Sequence, residues 1–212
     1  KGNLEKLNNK THDIYSTRFA EVSTNDTGNG EEYLNATAVN STTKSAFEVK
    51  VDQLAKPTKG ILGINNTAFN IDENLNTAGH IRLTIDGNTH EVEVVNDDTA
   101  SSVSQKLNTT FKNNNLGFEA ILITDYRTST QRIEIKAKEG EANNFVFAWN
   151  DGGGGGNPIT LENHQAFQEA RIHVDGVEVT SNTNKFENVV PGVTINVTKV
   201  NQADSNQTVQ IK

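Results

Sequence analysis

The sequence predicts a mainly β, β-rich α+β protein: two small antiparallel-sheet domains, one inserted into the other, with at least one short amphipathic helix. Three observations carry this. Runs in which apolar and polar residues alternate recur along the chain, as in FEVKVDQ (47–53), IRLTI (81–85), RIEIKAK (132–138) and VTINV (193–197). A period of two buries one face of a strand and leaves the other in water. Two Asp-Gly pairs, Asp86-Gly87 and Asp175-Gly176, each stand between two such runs, which is a strong short-range signal for a β-hairpin. By contrast, DDTASSVSQKLNTTFKN (97–113) repeats its apolar residues every four positions, the spacing of a helix face.

The elements follow in order. Residues 1–32 are polar with scattered Leu4, Leu7, Ile14, Tyr15 and Phe19, and they end in the turn-rich NDTGNGEE. The first ten read as the tail of a helix and the rest as extended or loose chain. From Tyr33 β character rises, and the strand through Phe47, Val49 and Val51 stops before Pro57 and Gly60. Between 78 and 151 lies a unit with its own logic. Ile81, Leu83 and Ile85 lead into Asp86-Gly87-Asn88, and Val92 and Val94 lead away. A helix follows, with Asp98 or Thr99 as N-cap and Val103, Leu107 and Phe111 on one face. FEAILITD (118–125) and QRIEIKAK (131–138) are two more strands, joined through 126–130.

DGGGGGNP (151–158) reads as a flexible connection; no Lys-Ser or Lys-Thr follows it, so it is no phosphate-binding loop. Residues 166–174 and 177–179 then form the second Asp-Gly hairpin, and VTINVTKV (193–200) and QTVQIK (207–212) close the fold, the first after the turn at Pro191-Gly192. The flanking strands have too few partners on either side to build a core alone. The expected organisation is therefore residues 1–32 as a helix end and loose linker, 33–60 with 159–212 as one discontinuous domain, and 61–158 as the insert.

Composition narrows the function classes. A 33% hydrophobic fraction suits small, well-solvated cores, and 19 Lys and Arg against 27 Asp and Glu give a net charge of −8. That charge opposes nucleic acid and anionic membrane surfaces, and no basic cluster reverses it locally. The lack of any apolar run of membrane-spanning length argues against membrane insertion. Cysteine is absent, which removes disulfides, thiolate metal sites and a thiol nucleophile. Methionine is absent even at position 1, so a fragment or a processed product is expected.

No catalytic, cofactor or metal constellation emerges. His173 shares the polar face of its strand with Arg171, while His164 and Glu169 precede that strand at no metal-ligand spacing. His80 and His90 flank the first hairpin, and His12 lies in the loose N-terminal stretch. DDTASS lacks the spacing of a calcium loop and reads as a helix start. Asn-x-Ser/Thr triplets occur at Asn25, Asn35, Asn40, Asn65, Asn108, Asn196 and Asn206, as an Asn- and Thr-rich chain produces by chance. The lone Trp149, beside the glycine run, is expected to pack in a core or anchor a loop.

Three blocks, in order, resemble a known family. They are FEVKVDQLAK (47–56); GHIRLTIDGNTHEVEV (79–94) with GFEAILITD (117–125) and IEIKAKEGEANNFV (133–146); and QAFQEARIHVDGVEVTSNTNKFENVVPGVTINV (165–197). They resemble the head region of the bacterial flagellar filament cap protein, also called hook-associated protein 2. Two features depart from the family pattern: the spacing within Gln165 and its five followers, and the run of five glycines.

The resemblance implies a structural protein rather than an enzyme, with no cofactor and no bound metal. It implies a ring-shaped homo-oligomer at the extracellular tip of the flagellum, exported by the flagellar secretion apparatus. There it promotes folding and insertion of flagellin. The leg helices would lie outside this chain, with residues 1–20 a remnant of the first, and the full-length protein would meet an export chaperone. Subunit or partner contacts, with a host surface among the candidate partners, are expected at Tyr126, Arg127, Gln131, Arg171 and His173. An extracellular adhesin or glycan-binding β module is the alternative.

Overall fold

The structure, a computed structural model, describes residues 20–24, 33–153, 156–202 and 205–212. The chain divides into two compact units: Lys1–Ala55 with Glu169–Lys212, and the insert Lys56–Gln168. The expected boundaries at 60/61 and 158/159 are thereby corrected. They would separate the strands Lys59–Ile64 and Ile159–Gln165, which pair with each other from Ile64↔Ile159 to Lys59↔Gln165. The glycine run accordingly lies inside the insert and does not link domains. At the ends of the insert, Lys56 N–H donates to Gln168 O at 2.8 Å and Gln168 N–H to Lys56 O at 2.9 Å.

The first unit is a sandwich of two antiparallel sheets (strands are numbered in chain order across both units). β1 (Ala20–Thr24), β16 (Gln207–Ile211), β3 (Ser45–Gln53), β12 (Ala170–Val174) and β13 (Val177–Ser181) form one sheet in that order. β14 (Lys185–Glu187), β15 (Val193–Val197) and β2 (Leu34–Ala38) form the other. Their inner faces share one core, including Leu34, Phe47, Val49, Val51, Ile172, Phe186, Ile195 and Val209. Asn201 extends the first sheet beyond β16: its N–H donates to Val51 O at 2.9 Å, and its Oδ1 accepts from Val51 N–H at 2.8 Å.

Two expectations change here. β1 lies within the stretch expected to be helix end and linker, because Val22 alternates with Glu21 and Ser23 and pairs with Val209 of β16; the remainder of 1–32 falls outside the described residues. The strand expected at 166–174 begins only at Ala170, since residues 166–169 turn the chain back into the first unit.

The insert has β10 (Phe145–Asn150), β6 (Gly79–Ile85) and β7 (Asn88–Val94) as one sheet. In the other, β11 (Ile159–Gln165), β4 (Lys59–Ile64) and β9 (Thr130–Ala137) are neighbours. β9 also pairs with β8 (Phe118–Asp125) along its whole length and with the short β5 (Phe69–Asn70). At Gly63 an added Cβ would lie 2.2 Å from Thr67 O, so the tight turn after β4 admits only glycine. The Asp86-Gly87 and Asp175-Gly176 turns both have φ > 0 at their two central residues, as type I′ hairpins require.

Helix α1 (Ala100–Asn113) is capped by Thr99: Ser102 N–H donates to Thr99 Oγ1, and Thr99 N–H donates to Ser102 Oγ. Val103, Leu107 and Phe111 are buried, as their spacing predicts, and each side chain contributes about 2 kcal/mol of apolar burial. The polar flanks of the helix serve two strand edges. Lys106 Nζ donates to Glu93 O of β7 at 3.1 Å, while Ser104 and Asn108 bond the main chain of Ala120 in β8. None of the described helices is long and apolar enough to cross a membrane.

Candidate interaction surfaces

In the first unit, alternation along β3, β12 and β13 turns Val49, Val51, Ile172 and Val174 inward and Lys50, Asp52, Arg171, His173 and Glu178 outward. The Asp-Gly turn sets His173 opposite Glu178, and the β3 pairing sets it opposite Lys50. The outward side chains form a chain of alternating charge. Lys50 Nζ lies 3.7 Å from Asp52 Oδ1, and His173 Nδ1 lies 2.5 Å from Asp52 Oδ2. His173 Nε2 is 4.0 Å from Glu178 Oε2, Arg171 Nε is 3.8 Å from the same oxygen, and Arg171 Nη2 is 3.8 Å from Glu169 Oε1.

An ionised carboxylate only accepts hydrogen bonds, so His173 must carry its hydrogen on Nδ1. His173 also lines an open cleft of about 330 Å³, together with Glu48, Lys50, Gly176 and Asn206. These side chains are partly exposed, so each pair adds little stability; such a pattern orients a partner more than it binds one. Asp175 is taken up in structure, since its Oδ1 accepts from Glu48 N–H at 2.8 Å.

In the insert, the β8–β9 turn presents Tyr126, which is 83% exposed, and Arg127. Asp125 shapes this tip: its Oδ1 accepts from the N–H groups of Arg127 and Thr128. The Thr128 side chain, then these main-chain donors, hold the Asp125 carboxyl below its ordinary range. Gln131 does not belong to the exposed tip, contrary to expectation. It is 5% exposed, on the core face of β9 with Ile133 and Ile135, and β5 lies beside it, so it is unavailable to a partner.

The expected contact residues thus fall into two groups in different units, Arg171 with His173 and Tyr126 with Arg127. Sequence reasoning missed Asp52 and Glu178. Glu178 was within reach, because the hairpin alone sets it opposite His173; Asp52 depends on a pairing between strands 121 residues apart.

Three other residues singled out in the sequence, His164, Trp149 and Asp98, have structural work. The His164 ring packs edge-on to Phe145 with centroids 5.1 Å apart, and Trp149 packs against the insert's core. Burial alone would raise the Asp98 carboxyl, but hydrogen bonds from Lys106, Val95 N–H and Ser102, with the Lys106 charge, outweigh it and hold it below the ordinary value. Among the described residues, no three His, Asp or Glu side chains converge on a point that would hold a metal ion.

The architecture defines a class: a β-sandwich unit interrupted by a helix-bearing β unit, with polar sheet faces turned outward. Solved structures of flagellar cap proteins are similar to it in fold. The D2–D3 domains of the flagellar cap protein FliD from Escherichia coli superpose with a TM-score of 0.59 at 16% identity, over 91% of this chain and 98% of that one. The D1–D2–D3 domains of the same protein give 0.61 at 16% identity over 94% of this chain, which spans 56% of that longer structure. FliD from Pseudomonas aeruginosa PAO1 gives 0.59 at 17% identity, over 85% of each chain. At these identities the likeness shows the fold. No family profile matches the sequence, and no curated protein sequence matches it significantly.

Proposed function

We propose that this chain is the head region of a flagellar filament cap, a structural protein rather than an enzyme. The observation that carries the reading is the fold: an interrupted β-sandwich and its insert, alike in order and extent to the D2–D3 domains of a flagellar cap protein. In this reading the first unit is the inner head domain and the insert the outer one. The protein forms a ring at the extracellular tip of the filament, reached through the flagellar secretion apparatus, and promotes folding and insertion of flagellin. An export chaperone meets the full-length protein before export. The charged face around Arg171 and His173 is proposed as a subunit contact, and the tip at Tyr126 and Arg127 as a contact with another partner.

A test in the source bacterium deletes the gene and restores it intact or without residues 46–212. Filaments rescued only by the intact gene, with unassembled flagellin spilled by the deletion, are the expected result. Normal filaments in the deletion strain would end the proposal.

A further inference from the structure

The contacts of α1 leave part of one strand edge unused. In a β-strand the N–H and C=O of one residue point the same way, and the direction alternates along the strand. The two-residue Asp86-Gly87 turn makes Ile85 and Asn88 a hydrogen-bonded pair, so the even-numbered residues of β7 bond to β6. Glu93 O accepts from Lys106, which confirms that odd-numbered residues point away. The main chains of Thr89 and Glu91 therefore face outward too, and neither forms a hydrogen bond among the described residues.

This edge opens into a groove of about 500 Å³ between β7 and α1, with Glu91 and Glu93 on one wall and Gln105, Lys106, Thr109 and Thr110 on the other. The charges are unevenly matched. Arg82 Nε bonds Glu91 Oε1 at 2.6 Å, and Lys106 is taken by Asp98 at 2.6 Å. Glu93 forms no ion pair among the described residues. The helix wall is polar and carries no acidic side chain along the groove.

We propose that this groove takes up an extended segment of another polypeptide as an added strand on β7, with a lysine or arginine set beside Glu93. The free main-chain groups of Thr89 and Glu91 supply the hydrogen bonds, the hydroxyl and amide side chains of α1 form the far wall, and Glu93 selects a basic segment. The Lys106 ammonium, bonded to Glu93 O, already occupies the place of such a segment's N–H at one end of the groove. This inference stands apart from the cap reading and uses neither face proposed above.

The test titrates the ¹⁵N-labelled chain with the synthetic peptide acetyl-Thr-Lys-Thr-Val-Lys-Thr-amide, and with a control in which threonine replaces both lysines. The expected result is saturable shifts confined to residues 89–93 and 102–110, with slowed exchange of the Glu91 amide and weaker binding of the control. Glu91→Pro removes an outward main-chain donor and the Arg82 ion pair but no main-chain bond to β6, and Glu93→Lys reverses the rim charge; each should weaken binding about tenfold, with the spectrum outside the groove unchanged except around Arg82 in the first. If Glu91→Pro unfolds the chain, Glu93→Lys and the Glu91 exchange rate decide. Shifts absent up to about 1 mM peptide, shifts centred elsewhere, or affinity unaffected by Glu93→Lys would overturn the proposal.

Discussion

Asn108 of α1 pairs with Ala120 of the edge strand β8 as a neighbouring strand would: its Oδ1 accepts from Ala120 N–H at 2.8 Å and its Nδ2 donates to Ala120 O at 2.7 Å. One side-chain amide copies the donor and acceptor of a peptide group. It satisfies the outward N–H of this edge and, with Ser104 Oγ, its carbonyl.

Asn108→Ala removes both bonds beneath a packed helix, and about 2 kcal/mol of stability should go with them. Asn108→Asp keeps the acceptor but sets a carboxylate oxygen against Ala120 O, so it should be at least as damaging. Urea unfolding of the three proteins checks this, and an unchanged midpoint in Asn108→Ala would show that the pairing adds nothing.

Gln207 makes the opposite case. It is fully buried on the core face of β16, and neither amide atom has a hydrogen-bond partner among the described residues. A buried polar group left unpaired costs stability that an apolar side chain of similar shape does not. Gln207→Met should therefore raise the guanidinium midpoint, by about 1 kcal/mol in free energy, whereas Gln207→Glu should lower it strongly.

Asp98 predicts a sign for acid sensitivity. Its carboxyl is held below the ordinary value in the folded chain, so its contribution is fully present above the unfolded value, near 4, and is lost as pH falls through the folded one. Asp98→Asn should be less stable than the parent at neutral pH, with the gap closing as the solution is acidified below about pH 4. Thermal melts from pH 7 to pH 2 measure it; a gap independent of pH would mean that the charge contributes nothing.

The His173 and Asp52 contact predicts a tautomer. In the neutral imidazole the hydrogen should reside on Nδ1, bonded to Asp52. Nitrogen-15 NMR of the ring distinguishes the two nitrogens, and Asp52→Ala should shift the population toward Nε2–H. An Nε2–H form in the parent protein would contradict the assigned geometry.

Much of this fold was legible because its signals are local. Val103, Leu107 and Phe111 fix the buried face of α1 by spacing alone, and each Asp-Gly pair fixes a turn together with the register of the strands on both sides. Gln131 was misplaced because it lies next to the exposed turn, yet strand alternation puts it in line with Ile133 and Ile135. The domain boundaries were misjudged because glycines suggest a linker, whereas the pairing of Ile64 with Ile159 spans 95 positions and leaves no mark at either end. Asp52 escaped for the same reason: its partner is set by tertiary pairing, which a single sequence does not spell out.

The mutual hydrogen bonds of Lys56 and Gln168 have an evolutionary consequence. An insert whose first and last residues touch hands the chain back where it received it. The host needs no spacer to accommodate it, whatever its length or shape. Recombination can exchange such a cassette whole, and the β-sandwich that carries it keeps its own strand pairs, so its outer surface is free to diversify while the interrupted host stays constant.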